Sequence, residues 1–116
     1  MPEIAKYRVY IAGPYSKGDV MLNIREAIFA ADWVMAAGHI PFLPHLTGFW
    51  HVISPKPYEA WLALDAAWLR QCEVLIRLPG ESSGSDGEAA EAKALGMPVF
   101  PGVVEFLTWA NSRSPA

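Results

Sequence analysis

Three residues far apart in the chain, Glu88, Asp65 and Tyr10, have side chains suited to acid–base or covalent chemistry. Glu88 stands in PGESSGSDGEAAEAKALGMPVF (residues 79–100), where a Gly/Ser loop turns into an alanine-rich helix. Ser85-Asp86-Gly87-Glu88 fits a capping box, in which the Ser satisfies a backbone N–H and the Glu returns to the cap. The same carboxylate fits a nucleophile. Gly84 and Gly87 beside the helix start let a ligand approach the backbone closely, and a helix dipole holds a first-turn carboxylate ionised. Spacing alone leaves both readings open.

Asp65 follows Trp61 by four residues and precedes Trp68 by three, so it shares their helix face. A carboxylate among apolar neighbours takes a partner or a proton. A raised proton affinity would suit it to protonating a leaving group; a different helical phase would put it on a wet edge. Tyr10 lies near the end of the first strand and is either a core residue or, with its hydroxyl turned toward the loop before Glu88, the group that orients that carboxylate. Ser16, Lys17, Ser82 and Ser83 supply hydroxyl and ammonium groups, and Gly/Ser loops at helix starts hold phosphate or lie idle on the surface. His39, His45 and His51 are six residues apart, which is no zinc pattern. Cys72 has no neighbour in sequence that would activate it and reads as inert core.

Short elements must position these groups. Residues 7–12 (YRVYIA) predict a strand that stops at Gly13-Pro14. Asp19 can cap a helix to about Ala37, with Met21, Ile24, Ile28, Ala31 and Met35 at helical spacing and Gly38 at its stop. Residues 39–43 predict a second strand whose Pro41 suits an edge. Residues 46–54 read as an irregular loop. A helix over 57–71, a strand over 73–78, a helix to about Leu95, a strand over 98–100 and a helix over 103–111 complete the pattern. Alternating strands and helices predict a flavodoxin-like or Rossmann-like doubly wound α/β domain, with four or five mainly parallel strands and helices on both faces. Ligands in such sheets bind beyond the strands' carboxyl ends. Three loops meet there, making Gly13, Pro14, Tyr15, Ser16, Lys17, His45, Ser82, Ser83, Gly84 and Ser85 the candidate substrate-binding residues.

The 116 residues suffice for one core, expected over residues 1–112, with a loose tail at 113–116. A net charge of -3 without a basic stripe argues against a nucleic-acid polymer as partner. No apolar run reaches the roughly 20 residues that span a bilayer, so no membrane partner is expected. A single cysteine and no leader-like start point to a reducing cytoplasm. Apolar residues make up 53% of the chain and five are Trp, so a homodimer or larger homo-oligomer is expected.

Three segments in register, VYIAGPYS, LDAAWLRQCEVLIRLPG and SSGSDGEAAEAKALGMPVF, resemble the nucleoside 2-deoxyribosyltransferase-like superfamily across residues 7–100. Its smaller members include deoxynucleoside 5′-monophosphate N-glycosidases. The resemblance implies that Glu88 is the nucleophile, Asp65 the carboxylate near sugar and base, and Tyr10 the residue that holds the nucleophile. Gly84-Ser85-Asp86-Gly87-Glu88 is also similar to the GTxxE motif of cytokinin-activating phosphoribohydrolases, which cleave a nucleotide's base–sugar bond. Six residues before the nucleophile the base-exchanging transferases carry an aspartate, whereas this chain has Ser82, as the monophosphate hydrolases have serine. A hydroxyl tolerates a phosphate that an aspartate would repel. The chain is also shorter than the transferases and lacks a clear counterpart of the C-terminal segment that completes a neighbouring subunit's site.

The expected reaction is therefore cleavage of the N-glycosidic bond of a small-molecule nucleotide or nucleoside, foremost a (deoxy)nucleoside 5′-monophosphate, through a covalent glycosyl-glutamate intermediate, with no cofactor and no metal. Base exchange, a non-catalytic nucleotide- or ADP-ribose-binding module, and a self-associating scaffold are the alternatives.

Overall fold

The computed structural model describes residues 6–113. Strand and helix alternate through β1 (Arg8–Ala12), α1 (Val20–Ala36), β2 (Ile40–Phe42), a 3-10 turn (Pro44–Leu46), α2 (Thr47–Ile53), α3 (Tyr58–Gln71), β3 (Val74–Arg77), α4 (Ser83–Ala94), β4 (Val99–Phe100) and α5 (Val103–Asn111). The four strands form one all-parallel sheet in the order β2-β1-β3-β4, the flavodoxin-like arrangement the alternation predicts. β1 and β3 lie at its centre and read as nearly unbroken apolar runs, because helices cover both of their faces. β2 is an edge strand, where the missing N–H of Pro41 costs least.

Side chains alternate across a strand, and here the alternation sorts the core into two layers. Val9 and Ile11 of β1 join Val74 and Ile76 of β3 beneath α1 and α5, together with Ala27, Val34 and Phe106. Tyr10 and Ala12 join Leu75 on the opposite face, beneath Leu69 of α3 and Ala92 of α4. The fold thereby turns Tyr10 toward the two helices that carry Asp65 and Glu88.

Asp19 caps α1 by accepting from the Leu22 N–H at 3.1 Å. At the other end Gly38 takes φ +93°, so that its own N–H reaches back to the Met35 carbonyl and that of His39 to Val34. The buried stripe of α1 is not the expected one. Ile24, Ala27, Ala30, Ala31 and Val34 face the sheet, whereas Met21 and Met35 are exposed. Small alanines let the helix approach the sheet closely, and a reading weighted toward large apolar side chains misplaces that phase.

The stretch expected to be irregular is helical as well: the 3-10 turn runs into α2, with Thr47 Oγ1 donating to the Pro44 carbonyl at 2.8 Å. None of α2's residues is buried, so its sequence carries no one-sided apolar period by which to recognise it. Of the expected loose tail, residues 114–116 lie outside the described residues, and Arg113 stacks over the Trp109 ring at 4.4 Å.

Candidate active site

The position of Glu88 follows from where α4 begins. Ser82, not Ser85, is the N-cap: its Oγ accepts from the Ser85 N–H at 3.1 Å and donates to Ser85 Oγ at 2.9 Å. The capping-box reading is therefore overturned, and so is the backbone role given to the glycines. Gly84 and Gly87 lie inside the helix, and neither has a positive φ. Starting one turn earlier puts Glu88 in the second turn, where it faces the sheet and accepts a hydrogen bond from the Tyr10 hydroxyl.

The electrostatics change accordingly. Burial, rather than the helix dipole, dominates Glu88 and raises its carboxyl above the usual range. The Tyr10 hydrogen bond and the Arg77 charge pull the other way, and Glu91 adds to the rise. Tyr10 is fully buried, and burial first, then the Glu88 charge, pushes its phenol far up, so it is a donor and not a base.

Asp65 projects from α3 toward the same two groups. One of its carboxylate oxygens is buried and, among the described residues, has no hydrogen-bond partner. Burial, then repulsion by the Glu88 charge, raises its carboxyl from 3.8 to about 7. The two tryptophans that share its helix make different contacts. Trp68 stacks on Phe42 at 5.1 Å between ring centroids and stays 47% exposed. Trp61 donates to His51 Nδ1 at 2.8 Å and meets Trp50 edge-on. Phe42 in turn packs on Tyr10 at 5.5 Å. Tyr10, Phe42 and Trp68 thus form an aromatic layer running from the sheet to the surface.

The candidate binding loops gather at the carboxyl ends of β1 and β3. Gly80 takes φ +116°, and an added Cβ would come within 2.7 Å of Pro14, so the two loops are in contact. His45 is buried against them with Nε2 at 3.1 Å from the Pro14 carbonyl. A carbonyl only accepts, so Nε2 carries the hydrogen. Burial lowers the ring's pKa against the opposing pull of its backbone hydrogen bonds, and among the described residues the buried Nδ1 has no partner. Tyr15 packs its hydroxyl against Gly48. Ser16 and Lys17 are exposed, as are Ser83 and Gly84 at the start of α4. Cys72 is partly buried with its thiol pushed up to about 11, chiefly by burial.

Two residues organise these loops and were not singled out in the sequence. Asn23 of α1 donates to the carbonyls of Tyr15 and Lys17 at 2.9 and 2.7 Å. Arg77 donates to Asp86 and to the Gly80 carbonyl at 2.9 Å each, and also to the Leu78 carbonyl. A charge closing the apolar run VLIR was the visible signal for Arg77; Asn23 left none, since an exposed-looking helix position carries no mark of the loop folding back on it.

Concavity and chemistry do not coincide. A groove of about 500 Å³ opens beside α1, lined among others by Gly13, Pro14, Asn23, Phe29, Trp33 and His45. Glu88, Asp65 and Tyr10 are not among its walls. Reactivity follows perturbed acids that sense one another, so the candidate active site is the acidic trio and the loops above it. Among the described residues no three of His, Cys, Asp and Glu gather as a metal site requires, and no helix is long and apolar enough to cross a membrane.

Residues 7–101 match the family described as Domain of unknown function (DUF7768). Among solved structures, the chain is similar to a 2-deoxyribosyltransferase from the psychrotolerant bacterium Bacillus psychrosaccharolyticus, characterised as a biocatalyst for synthesis of antiviral and antitumoral nucleosides. The superposition has a TM-score of 0.60 with 17% identity, covering 79% of this chain and 69% of that one. At that identity the likeness is one of fold. No curated protein matches the chain.

Proposed function

The chain belongs to the DUF7768 family, and from its acidic trio we propose that it cleaves the N-glycosidic bond of a (deoxy)nucleoside 5′-monophosphate through a glycosyl ester on Glu88. The observation that carries this reading is the placement of Glu88 against the Tyr10 hydroxyl, with Asp65 near enough to feel its charge and protonated up to about pH 7. One carboxyl group must be ionised to attack and the other must hold a proton to give. Two carboxyls whose environments differ in this way divide the roles.

In the first step a carboxylate oxygen of Glu88 bonds to the anomeric carbon. The carbon–nitrogen bond breaks with its electron pair going to the base, which takes the proton from Asp65. Water then attacks the same carbon, Asp65 takes a proton from it, and the sugar phosphate leaves as Glu88 regains its charge. This is the double displacement of retaining glycosidases. Tyr10 donates to Glu88 throughout, favouring its ionised form and fixing its orientation. A phosphorylated substrate is supported by the start of α4, where Ser83 and Gly84 sit in the first turn and their N–H groups have no partner within the helix. Ser82, as the N-cap, leaves uncharged a position where a carboxylate would repel phosphate. A nucleobase in place of water would turn the same ester into a base-exchange intermediate, and the activity named for the structural neighbour supports that second reading.

Chromatography of mixtures of the protein with nucleosides and nucleoside 5′-monophosphates tests the proposal. Wild type should release free base, and Glu88→Ala should not, while keeping its far-UV circular dichroism. Release should fall as pH rises through about 7, as Asp65 loses its proton. Undiminished release by Glu88→Ala would remove Glu88 from the chemistry; nucleotide binding without turnover by wild type would make the protein a binding module.

A further inference from the structure

We infer that the outer face of α1 is the two-fold interface of a homodimer, joined by reciprocal Arg25–Asp32 pairs around Phe29 and Trp33. This does not depend on the catalytic reading, because α1 covers the face of the sheet opposite the acidic trio.

The helix buries one side through alanines and leaves its large apolar side chains outside. Met21, Leu22, Phe29, Trp33 and Met35 are between 46% and 67% exposed. At roughly 200 Å² for a large side chain, they present on the order of 500 Å² of apolar surface. A patch of that size is at the upper end of what a monomer exposes, and such patches are often functional. With a polar rim it approaches the ~800 Å² that each partner contributes to a standard interface. Phe29, Asp32, Trp33 and Ala36 also line a shallow hollow of about 280 Å³, room for a side chain from outside.

The charges identify the occupant. Arg25 and Asp32 are both exposed and seven residues apart, so they lie on one face about two turns from each other. Among the described residues neither has an ion-pair partner within the chain; Arg25 rests over Phe29 at 5.2 Å. A two-fold interface brings the same surface together with itself reversed, so residue i meets j and j meets i. When two copies of α1 pack antiparallel about a centre beside Phe29, Arg25 lies opposite the partner's Asp32 at both ends, and Leu22 lies near the partner's Met35. A patch carrying both halves of its own ion pair fits a second copy of itself. A membrane surface would call instead for a basic flank, and this helix has one Arg against Glu26 and Asp32.

Sedimentation velocity at micromolar concentration provides the test, with circular dichroism to check folding. Wild type should sediment at twice the 12.7 kDa chain mass. Trp33→Glu should reduce it to the monomer. Arg25→Asp and Asp32→Arg should each dissociate the dimer alone, because each sets like charges against each other. An equimolar mixture of those two variants should form dimers again, and so should the doubly substituted chain. A monomeric wild type, an assembly whose mass none of the variants changes, or a mixture of charge variants that stays monomeric would each overturn the proposal.

Discussion

Beneath α1 and α5 the sheet presents Val9, Ile11, Val74 and Ile76 to a layer closed by Phe106 and Ala110. Beneath α3 and α4 the same strands present Tyr10, Ala12 and Leu75, and the helices add Asp65 and Glu88. The first layer is stabilised by apolar burial and by an aromatic cluster in which Tyr7, His39, Phe100 and Trp109 surround Phe106. The second confines three acidic groups at a cost, since each raises the proton affinity of another or has its own raised. One face therefore holds the domain together, and the other gives up part of that stability to keep three acidic groups close to one another. Departures from good packing practice gather where function is.

The sharpest way to break this contrast is Asp65→Asn. Its folded-state pKa lies above the ordinary 3.8, so between 3.8 and about 7 the folded state holds a proton that the unfolded chain has lost. Stability should fall as pH rises through that window and level off above it. Asn cannot ionise, so the variant's melting temperature should be flatter with pH and higher than wild type above pH 7. Base release should fall by about 10²–10⁴-fold. A stabilised but inactive variant would establish that Asp65 is kept at the expense of stability; an unchanged pH profile would return it to the wet surface.

Phe106→Ala tests the opposite layer. It removes a fully buried ring and should cost about 3–5 kcal/mol in urea unfolding. Turnover per folded molecule should be unaffected at low temperature. A loss of turnover without a loss of stability would mean the two layers are not separate.

Tyr10→Phe sharpens the comparison with a smaller change. It keeps the ring packed on Phe42 and deletes only the hydroxyl. Glu88 loses the hydrogen bond that lowers its pKa, so the acid limb of the pH–rate profile should move to higher pH. The rate should fall most along that limb, where less of Glu88 is ionised, and change least on the plateau above it. An unmoved limb would make Tyr10 a core residue.

The acidic residues were legible because their types stood out: a carboxylate between tryptophans and another after a Gly/Ser loop. The start of α4 was not. Ser82 and Ser85 are both good caps three residues apart, and the choice rests on which serine meets a partner, here each other. The phase of α1 was hidden by its alanines, and α2 by having no buried side from which a period could be read. Arg77 was visible as a charge ending an apolar strand, yet its bonds to Gly80 and Asp86 depend on how the next loop turns back.

By itself the sequence determined the order of strands and helices, their ends at glycine and proline, and which side chains could react. These follow from local sterics and from the spacing of apolar residues, which a linear chain carries in full. Only the tertiary structure decided how those groups ionise and which of them meet. Proton affinity depends on solvent and on neighbouring charge, and the neighbours of Glu88 come from positions 10, 65 and 77.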